Sequence, residues 1–600
     1  MRDSAGLFKL KRDIFEDISA RASSMVGSED RTSDGTQPTV AAAIRGVLNV
    51  IMAYSEFHTG DFDLQPAAFD TDGTPLYEGE YSGLLQTIIK RNDMEKLKQY
   101  VLRSTKRFMS DPVDVTWCDP FWMAASYGST DACRFLLEQY NATQADKMPL
   151  NQRGFSLLHT ACRTANVDVA RFFLDSQPPL GTISARDEGN ETPILSAASS
   201  LVNLNFVDAD DGNPDDRVDI YKWSIGCMSR GEELVNLLLD RGACAQDSRF
   251  PVWNNDDDMK SQPLETVLGM AISRGSYALV KRLLDQGADP YIKHHFYRHI
   301  VIRFGNHDSF KDVNVLHMAA LYWNVEGIKA LIDHHTNSFT DLVFSHDSEG
   351  HFPLHYASVT QSFNECTRPD ISSRFVDTFR LLLSGNPGAI NARDEQGLTP
   401  LYYTVKIHTH CVGSRHSELA VRVLLEHGAD ATISDSSGRT ILHLLAKSPW
   451  PIDTVLLDLL IAHGADVNHA DNDGNRPLHD MAMYLHQTQA VSFLCGKGAD
   501  ISATNAHGDT AFHKVAKGIM TAHMSLNERK YEPLTSVEKI LAQDEMMDVL
   551  QTAFGGDEMM NQPNNAGKTP RDLQTETRSK WQAPIKAALC GRGRGYRFTT

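Results

Sequence analysis

The chain has 600 residues, too many for one ordinary hydrophobic core and enough for several domains or one long repeat array. Hydrophobic residues at 41% and charged residues at 22% are the proportions of a folded chain and exclude a disordered one. The formal charge of −19 argues against capture of a nucleic-acid backbone, which needs a net basic face, but not against docking on a DNA-bound partner. From the start of the chain, residues 1–21 mix charged and apolar side chains without an apolar run, so a secretory signal is not expected. Leu7, Leu10, Ile14, Phe15 and Ile18 fall near one face of a first amphipathic helix. A polar linker over residues 27–38 follows, then an apolar helix over residues 40–54. That helix contains Arg45 and Asn49 and is shorter than the roughly 20 residues a bilayer span needs. Residues 1–83 are therefore expected to be a helical capping region, with a partner-docking helix as the alternative. Nine cysteines without a tight pairing pattern read as reduced intracellular thiols.

Beyond residue 83 the chain repeats itself. Gly350, Gly397, Gly438, Gly474 and Gly508 follow polar turns at spacings of 47, 41, 36 and 34 residues, converging on a unit of about 33 with insertions. Gly-Ala-Asp triplets at Gly287, Gly428, Gly464 and Gly498 run in step with them. In Thr192-Pro193 and Thr399-Pro400, threonine is placed to cap a helix whose first position takes the proline. Small residues such as Ala319-Ala320 let a second helix approach. Leucine runs such as Leu381-Leu382-Leu383 and Leu459-Leu460 give that helix its buried face, and glycines such as Gly428 suit the left-handed turn that ends it.

This grammar resembles the ankyrin repeat, a hairpin-like turn followed by two antiparallel helices. Its Asp-x-x-Gly-x-Thr-Pro-Leu-His-x-Ala motif is carried almost intact by residues 347–357 and 471–482. Degenerate copies begin near Pro120, Asn151, Glu188, Gln262, Val313, Asp394, Asp435 and Asn505, with a weak first copy over residues 84–102 and a truncated last one over residues 565–573. The resemblance implies an all-α ankyrin-repeat solenoid of about eleven units over residues 84–575, followed by a tail over residues 576–600. The irregular, insertion-rich array is similar in style to long ankyrin proteins of filamentous fungi. Insertions near residues 201–230, 250–261, 291–311, 360–373, 406–415 and 517–544 are expected to be surface loops, either neutral or shaping a binding surface.

Of the 24 histidines, His159, His317, His355, His443, His479 and His513 sit at the repeat's own histidine position. The resemblance implies that these imidazoles bond backbone in the adjacent turn. His408, His410, Cys411 and His416 are soft metal ligands, but their spacing fits no familiar zinc finger; the pairs His294-His295 and His334-His335 are weaker still. Gly567-Lys568-Thr569 lacks the glycine a phosphate loop needs five positions earlier, where Gln562 stands, so it reads as a turn and helix start. The acidic stretch over residues 208–216 has Gly212 out of register for a calcium loop. The basic tail over residues 591–597 is too short to be a nucleic-acid site by itself. No nucleophile elbow, glycine-rich nucleotide loop or His-Glu-x-x-His helix is present, so neither a catalytic residue nor a cofactor or metal is assigned.

The expected function is an intracellular scaffold or adaptor, cytoplasmic or nuclear, that binds protein partners on its concave surface and makes no direct contact with nucleic acid or membrane. A nuclear coregulator acting through protein contacts is the alternative. A third reading, an enzyme or enzyme subunit, needs a compact non-repeat domain of roughly 100 residues, and the longest repeat-free stretch is shorter. Tyr127, Arg163, Arg274 and Tyr322, with Trp323 replacing a glycine, follow the paired small residues and are expected on that surface; their types are those enriched at binding hot spots.

Overall fold

The computed structural model describes residues 67–71, 73–76, 83–109, 119–142, 150, 155–202, 217–250, 263–296, 310–334, 339–359, 371–408, 415–448, 450–520 and 535–582. The two N-terminal helices expected before residue 67, the acidic stretch over residues 208–216, His410, Cys411 and the basic tail lie outside them. The chain divides into two compact units, residues 1–206 with 226–244, and residues 207–225 with 245–600.

The first unit opens with a short antiparallel hairpin, β1 (Ala68–Phe69) and β2 (Pro75–Leu76). Helices then follow in pairs: α1 (Gly83–Lys90) with α2 (Met94–Met109), α3 (Pro120–Tyr127) with α4 (Thr130–Ala142), α5 (Leu157–Arg163) with α6 (Val167–Asp175), and α7 (Pro193–Val202) with α8 (Arg217–Asp240). The second unit begins at β3 (Ser248–Arg249) and β4 (Glu265–Thr266). It continues through α9 (Val267–Ala271) and α10 (Tyr277–Asp285), and a hairpin of β5 (His294–Phe296) and β6 (Phe310–Val313). After α11 (Val315–Leu321) and α12 (Val325–His334) comes an extra helix, α13 (Phe339–Phe344). The remaining pairs are α14 (Pro353–Ser358) with α15 (Ile371–Gly385), α16 (Pro400–His408) with α17 (Arg415–Glu426), α18 (Ile441–Ala446) with α19 (Thr454–Ala462), α20 (Pro477–Met483) with α21 (Thr488–Gly496), and α22 (Ala511–Ala516) with α23 (Ser536–Phe554); a lone α24 (Pro570–Gln582) closes the series. Eleven helix pairs thus stand among the described residues, as the repeat count predicts. The last helix runs past residue 575, where the sequence places the end of the array. Its final turns are held by Ser536 Oγ donating to the Trp581 carbonyl and by Arg578 donating to Gln543.

Within each unit of the chain, first helices pack on first helices (α5 on α7, α11 on α14, α20 on α22) and second on second (α10 on α12, α21 on α23). Ala161, Ala319, Ala357, Ala446, Ala482 and Ala516 are completely buried between them, and small side chains there let the backbones approach. Leu238, Leu283, Leu331, Leu382, Leu424, Leu460 and Leu494 supply the buried face of the second helices. Each contributes roughly 1.5–3 kcal/mol on burial, and most of that area is supplied by the adjoining pair.

The glycine ladder has two causes. Gly350 and Gly508 adopt φ of +80° and +73°, which penalises any β-carbon, and such a carbon would lie 2.8 Å from the backbone nitrogen of Glu395 or Asn565 in the next hairpin. That approach carries backbone bonds from hairpin to hairpin. Glu395 N–H donates to Glu349 O (3.1 Å), Asn472 to Ser437 O (3.1 Å), Ala506 to Asp473 O (2.9 Å) and Asn565 to His507 O (3.0 Å). The aspartate opening each hairpin braces the turn. Asp347 Oδ1 accepts from the amides of Glu349 and His351 at 2.9 and 2.8 Å.

All six repeat histidines bond a carbonyl of the following unit: His159 to Glu191 (2.9 Å), His317 to His351 (3.0 Å), His355 to Leu398 (3.1 Å), His443 to Asn475 (3.0 Å), His479 to Asp509 (3.1 Å) and His513 to Lys568 (3.2 Å). In the Thr440 and Thr510 units, Nδ1 accepts from both the backbone N–H and the hydroxyl of the threonine, leaving Nε2–H to donate onward. Threonine thus serves in two ways, since Thr399 accepts from the Tyr402 amide at 3.4 Å, as expected of a helix cap. Thr266 does cap an amide, that of Gly269 at 2.9 Å, in a unit with no histidine at that position. Gly269 itself is explained by His294. Its ring atoms Cε1 and Nε2 lie 3.0 and 3.2 Å from where a β-carbon on Gly269 would stand, so an imidazole delivered by β5 fills the volume a side chain would take.

Two predictions follow from this packing. Gly269→Ala is expected to destabilise by about 1–3 kcal/mol in urea unfolding, and adding His294→Ala to recover part of that loss; fully additive losses would contradict the substitution of one ring for the other. Burial pushes the imidazole of His479 down to about 4 and those of His317 and His355 to about 3. The folded state therefore binds these protons more weakly than the unfolded chain does. Their contribution is complete above about pH 6.5 and is lost as pH falls from there toward 4 and below, at about 1.4 kcal/mol per pH unit for each ring. His479→Gln should make the fall in stability between pH 6.5 and 4.5 shallower by that amount; an unchanged slope would show that the ring is not held neutral.

Candidate protein-binding surface

Six places after the first residue of a first helix stand Arg163, Lys406, Lys447, Met483 and Lys517, each at least partly exposed, whereas Ser126, Ser199, Ser273, Leu321 and Val359 hold that place in other pairs and are buried. The next position holds Tyr127, Arg274, Tyr322 and Tyr484. The five residues expected from the sequence divide between surface and interior. Tyr127 is half-buried, with the Lys90 ammonium 4.6 Å above its ring and Trp122 edge-on at 5.7 Å. The Arg163 side chain is 38% exposed and bonds Asp187 at 2.9 Å and Glu191 at 3.0 Å, tying its helix to the next hairpin. The guanidinium of Arg274 lies 4.3 Å over the ring of Tyr322.

Tyr322 and Trp323, however, are 5% and 4% exposed, which places them in the packed layer and not on an open face. Trp323 takes a left-handed φ of 49° where a glycine is usual, and its indole N–H donates to Ala357 O at 2.8 Å. Ala357 lies in the last turn of α14, where helix carbonyls have no partner within the helix, so the indole supplies a missing donor. Phe375 closes on the same ring edge-to-face at 5.2 Å. These contacts make Trp323 a clasp between consecutive pairs.

Lysines that no sequence motif singles out also stand on these helices. Between the units that begin at Asp394 and Asp435 lies a hollow of about 390 Å³, with Leu398, Tyr402 and Leu444 as apolar lining and Lys406, Lys447 and Arg439 as cations. Arg439 is engaged by Asp435, through Nε at 2.9 Å and the terminal nitrogen at 2.8 Å. Lys406 is half-buried; burial pushes its ammonium below the usual lysine range, and Asp394 only partly offsets this. Lys447 is exposed, with no carboxylate within ion-pair distance among the described residues. Next along the face, burial and the Asp471 charge lift the half-buried Asp480 carboxyl to about 6. Lys517 is held by Asp509 at 2.6 Å. The signal for these lysines was present as a cation recurring six residues after the helix start, but it is visible only once the helix starts are aligned.

One buried cluster has the make-up of an acid–base relay. His351 Nδ1 donates to Asp347 at 3.0 Å, its Nε2 lies 3.1 Å from the Tyr403 hydroxyl, and that hydroxyl donates to Asp394 at 2.6 Å; Tyr356 donates to Asp347 at 2.8 Å. Burial would raise the Asp347 carboxyl, yet the bond and charge of His351 hold it at about 2. The His351 and Asp347 side chains are 2% exposed and Tyr356 is 1% exposed, so no substrate reaches them, and the cluster acts as a polar joint between two hairpins. At the rejected phosphate-loop triplet, Gly567 turns at φ +71° and Thr569 donates from N–H and hydroxyl to Asp572 at 2.9 and 2.7 Å, which is the start of α24. Among the described residues no three His, Cys, Asp or Glu side chains gather as a metal shell, and no helix is long and apolar enough to cross a membrane.

Comparison with known proteins agrees with this architecture. A family model for ankyrin repeats (3 copies) matches residues 85–187, 121–209, 268–368 and 409–505, together more than half of the chain. A search of curated proteins gives no match. Among solved structures 421 chains match. One is the crystal structure of the ankyrin repeat domain of Bcl-3, a unique member of the IkappaB protein family, 25% identical over 41% of this chain and 92% of that chain, with a TM-score of 0.29. With its hairpins, paired helices and onward histidine bonds, the chain belongs to the ankyrin-repeat family, whose repeats serve protein–protein interaction.

Proposed function

We propose that this chain is a cytoplasmic or nuclear adaptor that holds a protein partner against its first-helix face and carries out no reaction itself. The observation that supports the reading is the repeated register on those helices. The first unit presents Tyr127 and Arg163, and the second presents Arg274, Lys406 and Lys447, at least partly to solvent from the ends of first helices. Aromatic and guanidinium groups held by neighbours lose little side-chain freedom on binding, which is what a protein interface rewards. Among the described residues the buried polar clusters are engaged within the repeat or sealed from solvent, which supports a role for the open face.

The test is affinity capture from cell extract with the full chain and with variants. Tyr127→Ala and Arg274→Ala are expected to lose a captured partner while keeping the thermal unfolding profile of the parent chain. Trp323→Ala, by contrast, should destabilise by about 3–5 kcal/mol, since it removes a large buried ring. Capture that survives both surface variants and disappears only with unfolding would argue against the face. Imaging of the full chain then separates a cytosolic adaptor from a nuclear coregulator.

A further inference from the structure

Helix α23 carries an apolar pair that no neighbouring helix among the described residues covers. Val537 and Leu541, one turn apart, are 65% and 61% exposed, while Gln543, Met546, Met547 and Leu550 on the other side of the helix are buried. Eleven residues make about three helical turns, so Asp548 returns to the face of Val537, and Glu545 lies one turn beyond Leu541. Both carboxylates are exposed, and their neighbour Asp544 is engaged by Arg578. The stripe is therefore apolar at its start and acidic farther along.

Helix α24 delivers the chain to the apolar end of that stripe. Its Arg578 bonds Gln543, and in its last turn the Trp581 carbonyl accepts from the hydroxyl of Ser536, the residue directly before Val537. It stops at Gln582, just ahead of Pro584, whose ring disfavours helix in the residue before it. The residues that follow match the stripe in order. Ile585 and Leu589 come first and Arg592, Arg594 and Arg597 after them, with neither Asp nor Glu in residues 583–600. From Leu541 to Asp548 the helix rises about 10 Å, and three extended residues from Leu589 to Arg592 advance about the same distance. We propose that the exposed face of α23 is the docking site of residues 583–600 of the same chain, with Ile585 and Leu589 on Val537 and Leu541 and the arginines on Glu545 and Asp548.

This contact is separate from the first-helix face and stands or falls without it. Charge selects the occupant. In a chain of formal charge −19, a segment with Lys586, three arginines and no acid is drawn to exposed carboxylates. Residues 521–534, which precede α23 in sequence, mix Arg529 and Lys530 with Glu528 and Glu532, so the acidic end of the stripe attracts them less. A second copy is disfavoured by area. Two apolar side chains fall far short of the roughly 800 Å² per partner that a stable interface buries, whereas a tethered segment is held at high local concentration and needs less.

The test uses Cys590, the neighbour of Leu589, in the full chain. With oxidised glutathione as the oxidant, Leu541→Cys is expected to form an intramolecular disulfide with Cys590, located by mass spectrometry of the digested protein. Val455→Cys is the control, exposed on α19 two second helices away. At about 10 Å per helix it lies within the roughly 26 Å that eight extended residues from Gln582 can span. Cross-linking at Leu541→Cys should be faster about ten-fold or more, and Glu545→Lys with Asp548→Lys should remove that advantage. Adding Arg592→Glu, Arg594→Glu and Arg597→Glu to the lysine pair should restore it. If Leu541→Cys alters folding by circular dichroism, Val537→Cys takes its place. Equal rates at the two cysteine positions, or a rate indifferent to the charge changes, overturns the inference. A disulfide formed only between two molecules also overturns it, because the segment then comes from another copy.

Discussion

A hydrogen bond that a unit cannot make alone governs this molecule. The imidazole at each repeat histidine accepts from the start of its own helix and donates to a carbonyl of the next hairpin, so its second bond exists only when the neighbour is in place. Buried N–H groups without partners are costly. Each pair therefore depends on the next, just as its leucine face does, and stability accrues along the stack instead of within any one pair. At α24 the equivalent position is Asp572, which bonds back to Thr569 and makes no onward bond among the described residues. A carboxylate there carries no N–H that would need an onward acceptor.

Where the histidine is missing, the packing shows how the position is satisfied by other means. Gly269 yields its volume to His294, while Thr266 caps the helix it would have capped. Tyr402 retains a weaker threonine bond at 3.4 Å and presents its ring to the hollow. Trp122 receives its cap from Asp119, whose carboxylate reaches the amides of Phe121 and Trp122 at 2.8 and 3.4 Å. At Tyr402 the bridge is kept by other means, because its buried side chain bonds Asp435 of the next hairpin.

The regular part of this architecture was legible because its causes are local. A positive φ at the hairpin, proline at the helix start and leucine at helical spacing each leave a residue-level trace, and the histidine is named by its place between them. What was not legible depends on pairs distant in sequence. Gly269 and His294 belong to different elements, and nothing near either predicts that one ring stands in for the other. Tyr322 and Trp323 have the composition of a hot spot, yet burial decides their role, and Trp323 is held by Ala357 and Phe375 of the following pair. Tyr, Trp and Arg are favoured both at interfaces and wherever a large side chain must place one polar group on a buried acceptor. Residue type alone cannot separate these uses.

The same distinction bears on function. A surface built from repeats offers its partner whatever the packing does not require, so the binding residues are best sought among positions that vary from pair to pair while the layer beneath stays small and apolar. The register six residues into the first helix meets that condition in several pairs. It holds arginine at 163, lysine at 406, 447 and 517, and methionine at 483, each directly after a buried apolar residue (Cys162, Val405, Ala446, Ala482 and Ala516). Arg163 and Lys517 are drawn into ion pairs within their own neighbourhood. Lys406 and Lys447 flank a hollow whose lining is partly apolar. The stacking that makes the fold stable thus also decides which side chains stand side by side on the exposed face.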